Sequence, residues 1–454
     1  MSLMLMQQRL PGRGRARRER GAASLIVVMI LFFVISMVAA YTNRNLIFEQ
    51  KTSVNQSRST RALEAADAGV DWALTLLNTG RITDACVTSA NAADMTFRQR
   101  YLNIDPANGN ITPRKRADGV TDLYPTCVYD GAAWTCSCPT DGDAVMAAPA
   151  GNDVYPAFRV RFRRVCALPT AADTACGTPV QPGVVHIDVN ACTSPTDDCL
   201  RFSPAPTALP GEGRVTVHVT AALRSALPST PSAALTIRGT VTADAGGSDL
   251  SVTNAEAAGT GISIQSGGDV LGSVTPVGKP GTPPDRSLFK LDPTLSAASM
   301  TADRFFINVF GLWRNTFREQ PAAIEVNCAV SCTAATLRSK IALNPGRVFW
   351  VIGDLDFDSA GDIGTAADPV MINVTGSVTF TSPVNVYGAI YSQAPTWALS
   401  GGGLITGGAF AEGNINDAAA ATTGIVFNTD ILTRLRTQTG SFVRVPGTWR
   451  DFDT

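Results

Sequence analysis

Histidine is nearly missing from this chain. His186 and His218 are the only two in 454 residues, and each alternates with apolar neighbours as residues of a strand do. Chemistry that needs several histidines, such as zinc ligation or an acid–base relay, therefore has little to build on. Charge is also scarce: 17% of residues are charged and the formal net charge is −1, so no overall field draws the chain toward nucleic acid. The sequence has no G-x-S-x-G elbow, no phosphate-binding P-loop and no H-E-x-x-H pair. From these absences the chain is expected not to be an enzyme, and no cofactor is expected. Helix breakers are missing from one long stretch, with no proline between Pro11 and Pro106 and no glycine between Gly21 and Gly69.

Elsewhere glycine (40) and proline (27) are plentiful, with recurrent Thr, Val and Ala, a mixture that suits β-sheet and turns. At roughly 150 residues per domain the length allows two or three folding units. Ten cysteines all lie beyond residue 85: Cys86, Cys127, Cys136, Cys138, Cys166, Cys176, Cys192, Cys199, Cys328 and Cys332. An even number in spaced clusters points to disulfides and an oxidising compartment, with the pairing left open. The spacing Cys136-Ser137-Cys138 is too tight for a zinc loop.

The N-terminus has the clearest pattern. Arg9, Arg13, Arg15, Arg17, Arg18 and Arg20 stand against one acid, Glu19, and Gly21 follows. Ala22 to Tyr41 are twenty uncharged residues, including Ile26, Leu31 and Phe33. As a helix they span about 30 Å, the thickness of a bilayer's hydrocarbon core. The basic flank should remain cytoplasmic and the remainder face outward. The helical pattern continues past the apolar run. Leu63, Ala66, Val70, Ala73, Leu74 and Leu77 form an apolar stripe beside an acidic one of Glu64, Asp67 and Asp71. Asn78 and Gly80 suit its end. Cleavage after Ala40, as in a secretory signal, and a plain uncleaved anchor are the simpler readings of this segment.

Farther on, the alternation in Phe158-Arg159-Val160-Arg161-Phe162-Arg163 puts three arginines on one strand face, expected to be solvated. Val184–Val189 and Val215–Val219 also read as strands, and the proline-rich stretch from Ser203 to Pro210 as a connection. Arg114-Lys115-Arg116 reads as a loop rather than a binding patch, because no aromatics interleave with it. Beyond about residue 235, short alternating runs recur around glycine, as in Ile372–Phe380 and Val384–Tyr391. Such imperfect repeats suit a β-solenoid, with a β-sandwich as the competing arrangement. A short helix with Ile431, Leu432 and Leu435 on its inner face should cover one end. Asp356, Asp358 and Asp362 partly match a calcium loop, but Ala360 and Ala367 occupy two ligand positions. Turn carboxylates are the plainer account of these three.

The start Arg20-Gly21-Ala22-Ala23-Ser24-Leu25-Ile26-Val27-Val28 and the segment Ala62-Leu63-Glu64-Ala65-Ala66-Asp67-Ala68-Gly69-Val70 resemble the PilX-type minor pilins of type IV pili. The segment from about 345 to 452, closing in Val445-Pro446-Gly447-Thr448-Trp449-Arg450-Asp451, is similar to the C-terminal part of the same family. The resemblance implies cleavage by a prepilin peptidase between Gly21 and Ala22, and methylation of the new Ala22 amine. It also implies that other minor and major pilins and the inner-membrane assembly platform are partners, with a tip adhesin as a further candidate; from the charge, no nucleic acid is expected. Major pilins carry Glu at the fifth mature position, where this chain has Ile26.

The expected architecture is α+β: a leader (1–21), a membrane-spanning and amphipathic helix (22–80), a disulfide-braced β-rich region (81–235) and a glycine-punctuated, solenoid-like β domain (236–454). The expected role is a minor pilin that primes or caps the fibre, single-pass in the inner membrane, with its head periplasmic and later displayed on the pilus. Two other readings stand beside it: a minor pseudopilin of type II secretion, and a membrane-anchored extracytoplasmic carbohydrate-binding or carbohydrate-cleaving protein.

Overall fold

The computed structural model describes residues 20–146, 149, 155–166, 180–202, 212–243, 249–398, 402–417 and 423–452. It divides into two compact units, Met1–Arg58 and Ser59–Thr454. The fold is α+β, a long N-terminal helix and a β-rich head. The helix is Arg20–Leu77. In the first unit its described side chains are almost all exposed, with Leu25 at 61% and Phe32 at 71%.

In the second unit the last turns of this helix lie on a six-stranded antiparallel sheet. The strand order is Gly440–Arg444, Arg214–Ser225, Val180–Cys192, Ala157–Cys166, Thr126–Tyr129, Trp134–Ser137. The strands predicted around Phe158, Val184 and Val215 are its three long central members. Ala62, Ala65, Ala66, Gly69, Val70, Ala73, Leu76 and Leu77 are buried on the helix. Phe158, Val160, Ile187, Val189 and Val217 belong to the same apolar cluster. Leu63 and Leu74 of the predicted stripe are only half-buried at its margin. Small residues take the centre because helix and sheet approach closely. A methyl at Gly69 would stand 2.7 Å from Val189 Cγ1 and 2.9 Å from the Phe158 ring.

Asn78 ties the helix end to the sheet. Asn78 Nδ2 donates to the Phe442 carbonyl at 2.8 Å, and the Phe442 N–H donates to Asn78 Oδ1 at 2.8 Å. This amide mimics a strand partner for the C-terminal edge strand. That strand is reached only after the chain has left the antiparallel sheet at Ser225 and built a second body of parallel strands.

The second body is a solenoid-like stack. Ile363, Val386, Ile405, Ile425 and Val252 sit in register on successive parallel strands, each fully buried. Strand and rung order differ from sequence order. Gly403–Ala411 pairs along its first half with Thr423–Phe427 and along its second half with residues 235–237. One rung is therefore assembled from two passes of the chain, and Leu250–Thr253 then stacks on Thr423–Phe427. Gly388 and Gly407, paired within the strands Val384–Ser392 and Gly403–Ala411, have φ +147° and +139°, and an added methyl would meet the carbonyl of the neighbouring rung at 1.9 Å in each case. Helices Ala302–Phe310 and Arg314–Arg318 cover an outer face, with Phe306 and Phe310 against Tyr391 at 5.2 and 5.1 Å between centroids. The predicted C-terminal helix is Thr429–Thr437, with Ile431, Leu432 and Leu435 buried. Asn428 caps it, by accepting from the Ile431 N–H at 2.9 Å.

Candidate membrane and assembly interface

Among the described residues, the helix Ser24–Leu77 holds an 18-residue window apolar and long enough to cross a membrane. Its described side chains include Ile26 (57% exposed), Leu31 (57%), Phe33 (64%) and Tyr41 (68%). Exposed hydrophobic surface this continuous requires a lipid or protein partner. Gly21 and Ala22 fall within the helix. No carboxylate lies between Ala22 and Phe48. Glu64 and Asp71, like Asp67, are exposed. Asp67 Oδ1 accepts a hydrogen bond from Trp449 Nε1 at 2.8 Å, so the closing segment straps onto the helix. The two segments thus joined, Ala62–Val70 and Val445–Asp451, are two of those that carried the family resemblance.

The arginine face of the sheet is not solvated. Arg161, Asp188 and His218 are direct cross-strand neighbours on the three central strands. The Asp188 side chain is fully buried. Its Oδ2 accepts from Arg161 Nη2 at 2.7 Å and from Arg163, and its Oδ1 from His218 Nδ1 at 2.7 Å. Burial by itself would raise the Asp188 carboxyl; the hydrogen bonds from His218 and Arg163, with the charges of Arg163 and Arg161, hold it well below the usual carboxylate range. Arg159 pairs with Asp197 at 2.7 Å. The alternation identified the face correctly, but Asp188 on the next strand engages Arg161 and Arg163 and Asp197 engages Arg159, and the period of the arginines gives no sign of that. Phe202 lies over Arg161 at 4.4 Å.

Four disulfides are described. Cys127–Cys136 joins directly opposed residues of a hairpin. Cys86–Cys138 ties the segment after the long helix to the end of that hairpin. Cys192–Cys199 fixes a strand end to a short helix. Cys328–Cys332 closes a bulge between Asn327 and Ser331 in the strand Ala323–Thr333. Cys166 is also disulfide-bonded, while Cys176 and the proline-rich Ser203–Pro210 lie outside the described residues.

The three calcium-loop aspartates are not brought together. Asp356 accepts from Thr381 Oγ1 at 2.9 Å, Asp358 from the Ala334 N–H at 3.2 Å and Asp362 from Asn385 Nδ2 at 3.0 Å. They bond to different partners as turn and rung carboxylates. Among the described residues no group of three or more His, Cys, Asp or Glu is placed to hold a metal.

Sequence reasoning missed Ala62, Ala65 and Gly69, which the spacing of small residues at i, i+3 and i+7 could have shown. It also missed Asn78 as a strand mimic, for which no local signal exists.

Residues 20–71 match the family model described as PilX N-terminal. No curated protein matches the chain. Among solved structures, the competence-associated pilin ComZ from Thermus thermophilus is similar at 9% identity, over 87% of this chain and 97% of that one, with a TM-score of 0.18. A score that low establishes no shared fold, and the likeness carries no weight here. The matched segment makes the chain type IV pilin-like at its N-terminus, where one long apolar helix fits a single-pass anchor.

Proposed function

We propose that this protein is a minor pilin-like subunit of type IV pilus assembly that primes or caps the fibre and displays a large exported head. The observation that carries the reading is an exposed apolar helix, Ser24 onward, inside a segment matching the PilX N-terminal family. In this reading the helix is stored in the inner membrane with its N-terminus cytoplasmic, after cleavage between Gly21 and Ala22 and methylation of Ala22. It then packs against other pilins as the assembly platform extracts it. Ile26 supports a rare position. A buried amine lacking a carboxylate partner is costly, so a subunit of this kind is poorly suited to repeat along a fibre. The head is periplasmic first and later on the pilus, and it acts through its surface rather than through catalysis.

The test is N-terminal peptide mass spectrometry on protein from its native membrane, with and without the prepilin peptidase. The expected result is a mature chain beginning at methylated Ala22 only when the peptidase is present. A chain retaining Arg20-Gly21, or beginning after Ala40, would remove the pilin reading.

A further inference from the structure

A cleft of about 460 Å³ opens where the antiparallel sheet's flanking segments meet the solenoid. Its size is that of a small-molecule site. Four guanidinium groups line it, from Arg81, Arg98, Arg114 and Arg434, against one carboxylate, the exposed Asp368. In a chain whose net charge is −1, this is a local concentration of positive charge.

The hydrogen bonds of these arginines all run to neutral acceptors. Arg98 is 6% exposed. Its Nε donates to the Leu77 carbonyl, its Nη1 to Gly346 O at 3.2 Å, and its Nη2 to Gly440 O at 2.7 Å and Asn78 Oδ1 at 3.3 Å. A guanidinium has five N–H groups, so one remains, on Nη1 beside Gly346. Arg114 Nη1 donates to Gln99 O at 2.6 Å, and Arg81 Nε to Ala342 O at 2.6 Å. Arg434 Nη1 has only contacts of 3.5 Å, to Ala367 O and Gln438 Oε1. Among the described residues none of the four lies within ion-pair distance of a carboxylate. The neighbours Lys115 and Arg116, by contrast, are engaged by Asp122 and Asp143. Burial, and then the charge of Arg347, lower the Arg98 guanidinium to about 9; burial lowers Arg347 itself to about 10. Of the four, Arg98 is buried, Arg81 and Arg434 are half-buried and Arg114 is exposed; a buried cation such as Arg98 without a counter-charge is costly, and an anion in the cleft would offset that cost.

We propose that this cleft binds a small oxyanion-bearing ligand, of about disaccharide size, whose carboxylate or phosphate is held by Arg98, Arg114 and Arg434. Guanidinium forks match both oxyanions. Met95, Leu102 and Ile104 supply an apolar wall for the ligand's carbon skeleton.

The test is isothermal titration of the full chain in detergent micelles with digalacturonate, with pyrophosphate, and with cellobiose as a neutral control. At least one anion should bind, more weakly at high salt, and cellobiose should not. Digalacturonate alone would assign a carboxylate ligand, and pyrophosphate alone a phosphate; either supports the site. The double variant Arg114→Gln/Arg434→Gln uses residues outside the core. It should weaken binding by about tenfold or more, about 1.4 kcal/mol, with an unchanged melting temperature. No heat with either anion, or equal affinity in the variant, would overturn the proposal.

Discussion

Trp449 donates its indole N–H to Asp67 Oδ1 at 2.8 Å, joining residues 382 apart in sequence. The strap holds the chain's closing segment to the long helix, next to the buried stripe of Ala62, Ala66 and Val70. Both partners are reached by solvent, so the bond contributes modestly. Trp449→Phe and Asp67→Ala should each lower the stability of the second unit by about 1 kcal/mol in urea titrations. In the double variant the loss should match one single variant, because the two remove the same bond. Fully additive losses would show that the contact is not energetically coupled.

Asp188 sets the acid limit of the antiparallel sheet. Its carboxyl is depressed in the folded state, so its stabilisation is fully present above the unfolded carboxylate range, near about 4. It is lost as pH falls from there toward the folded value. Melting temperature should therefore be insensitive to this group near neutrality and fall in acid. Asp188→Asn should cost about 3–5 kcal/mol at neutral pH, because Arg161 and Arg163 keep their half-buried charges without the acid. The variant should also show a shallower decline in acid. An unchanged acid slope would assign that decline to other carboxylates.

Gly388 tests the solenoid. Its φ of +147° and the Val370 carbonyl 1.9 Å from an added methyl leave no room for a side chain. Gly388→Ala should destabilise the parallel stack by about 3 kcal/mol or more, from backbone strain and a displaced rung. Gly281, where nothing lies within 4 Å, is the control for φ alone. Gly281→Ala should cost about 1 kcal/mol. Equal losses at the two positions, read by chemical denaturation, would show that rung spacing does not set the cost.

Periodicity and composition by themselves determined a good part of this protein. The uninterrupted apolar run from Ala22, the alternation at Phe158–Arg163 and the glycine-punctuated repeats each report a local rule: helix pitch, strand pleat or backbone geometry at glycine. Those rules hold without knowing any partner, and so the helix, the strands and the parallel stack were legible. Only tertiary structure decided what meets across long separations. Asp188 meets Arg161 and Arg163 through strand pairing, and Asn78 finds Phe442 364 residues later. The rung shared by 235–237 and Thr423–Phe427, and the gathering of guanidinium groups around the cleft, also arise where distant segments meet. A pattern along the chain records which face a side chain takes. It cannot record which carboxylate, carbonyl or strand will be opposite, because that depends on loop closures and register settled only when the whole core is packed.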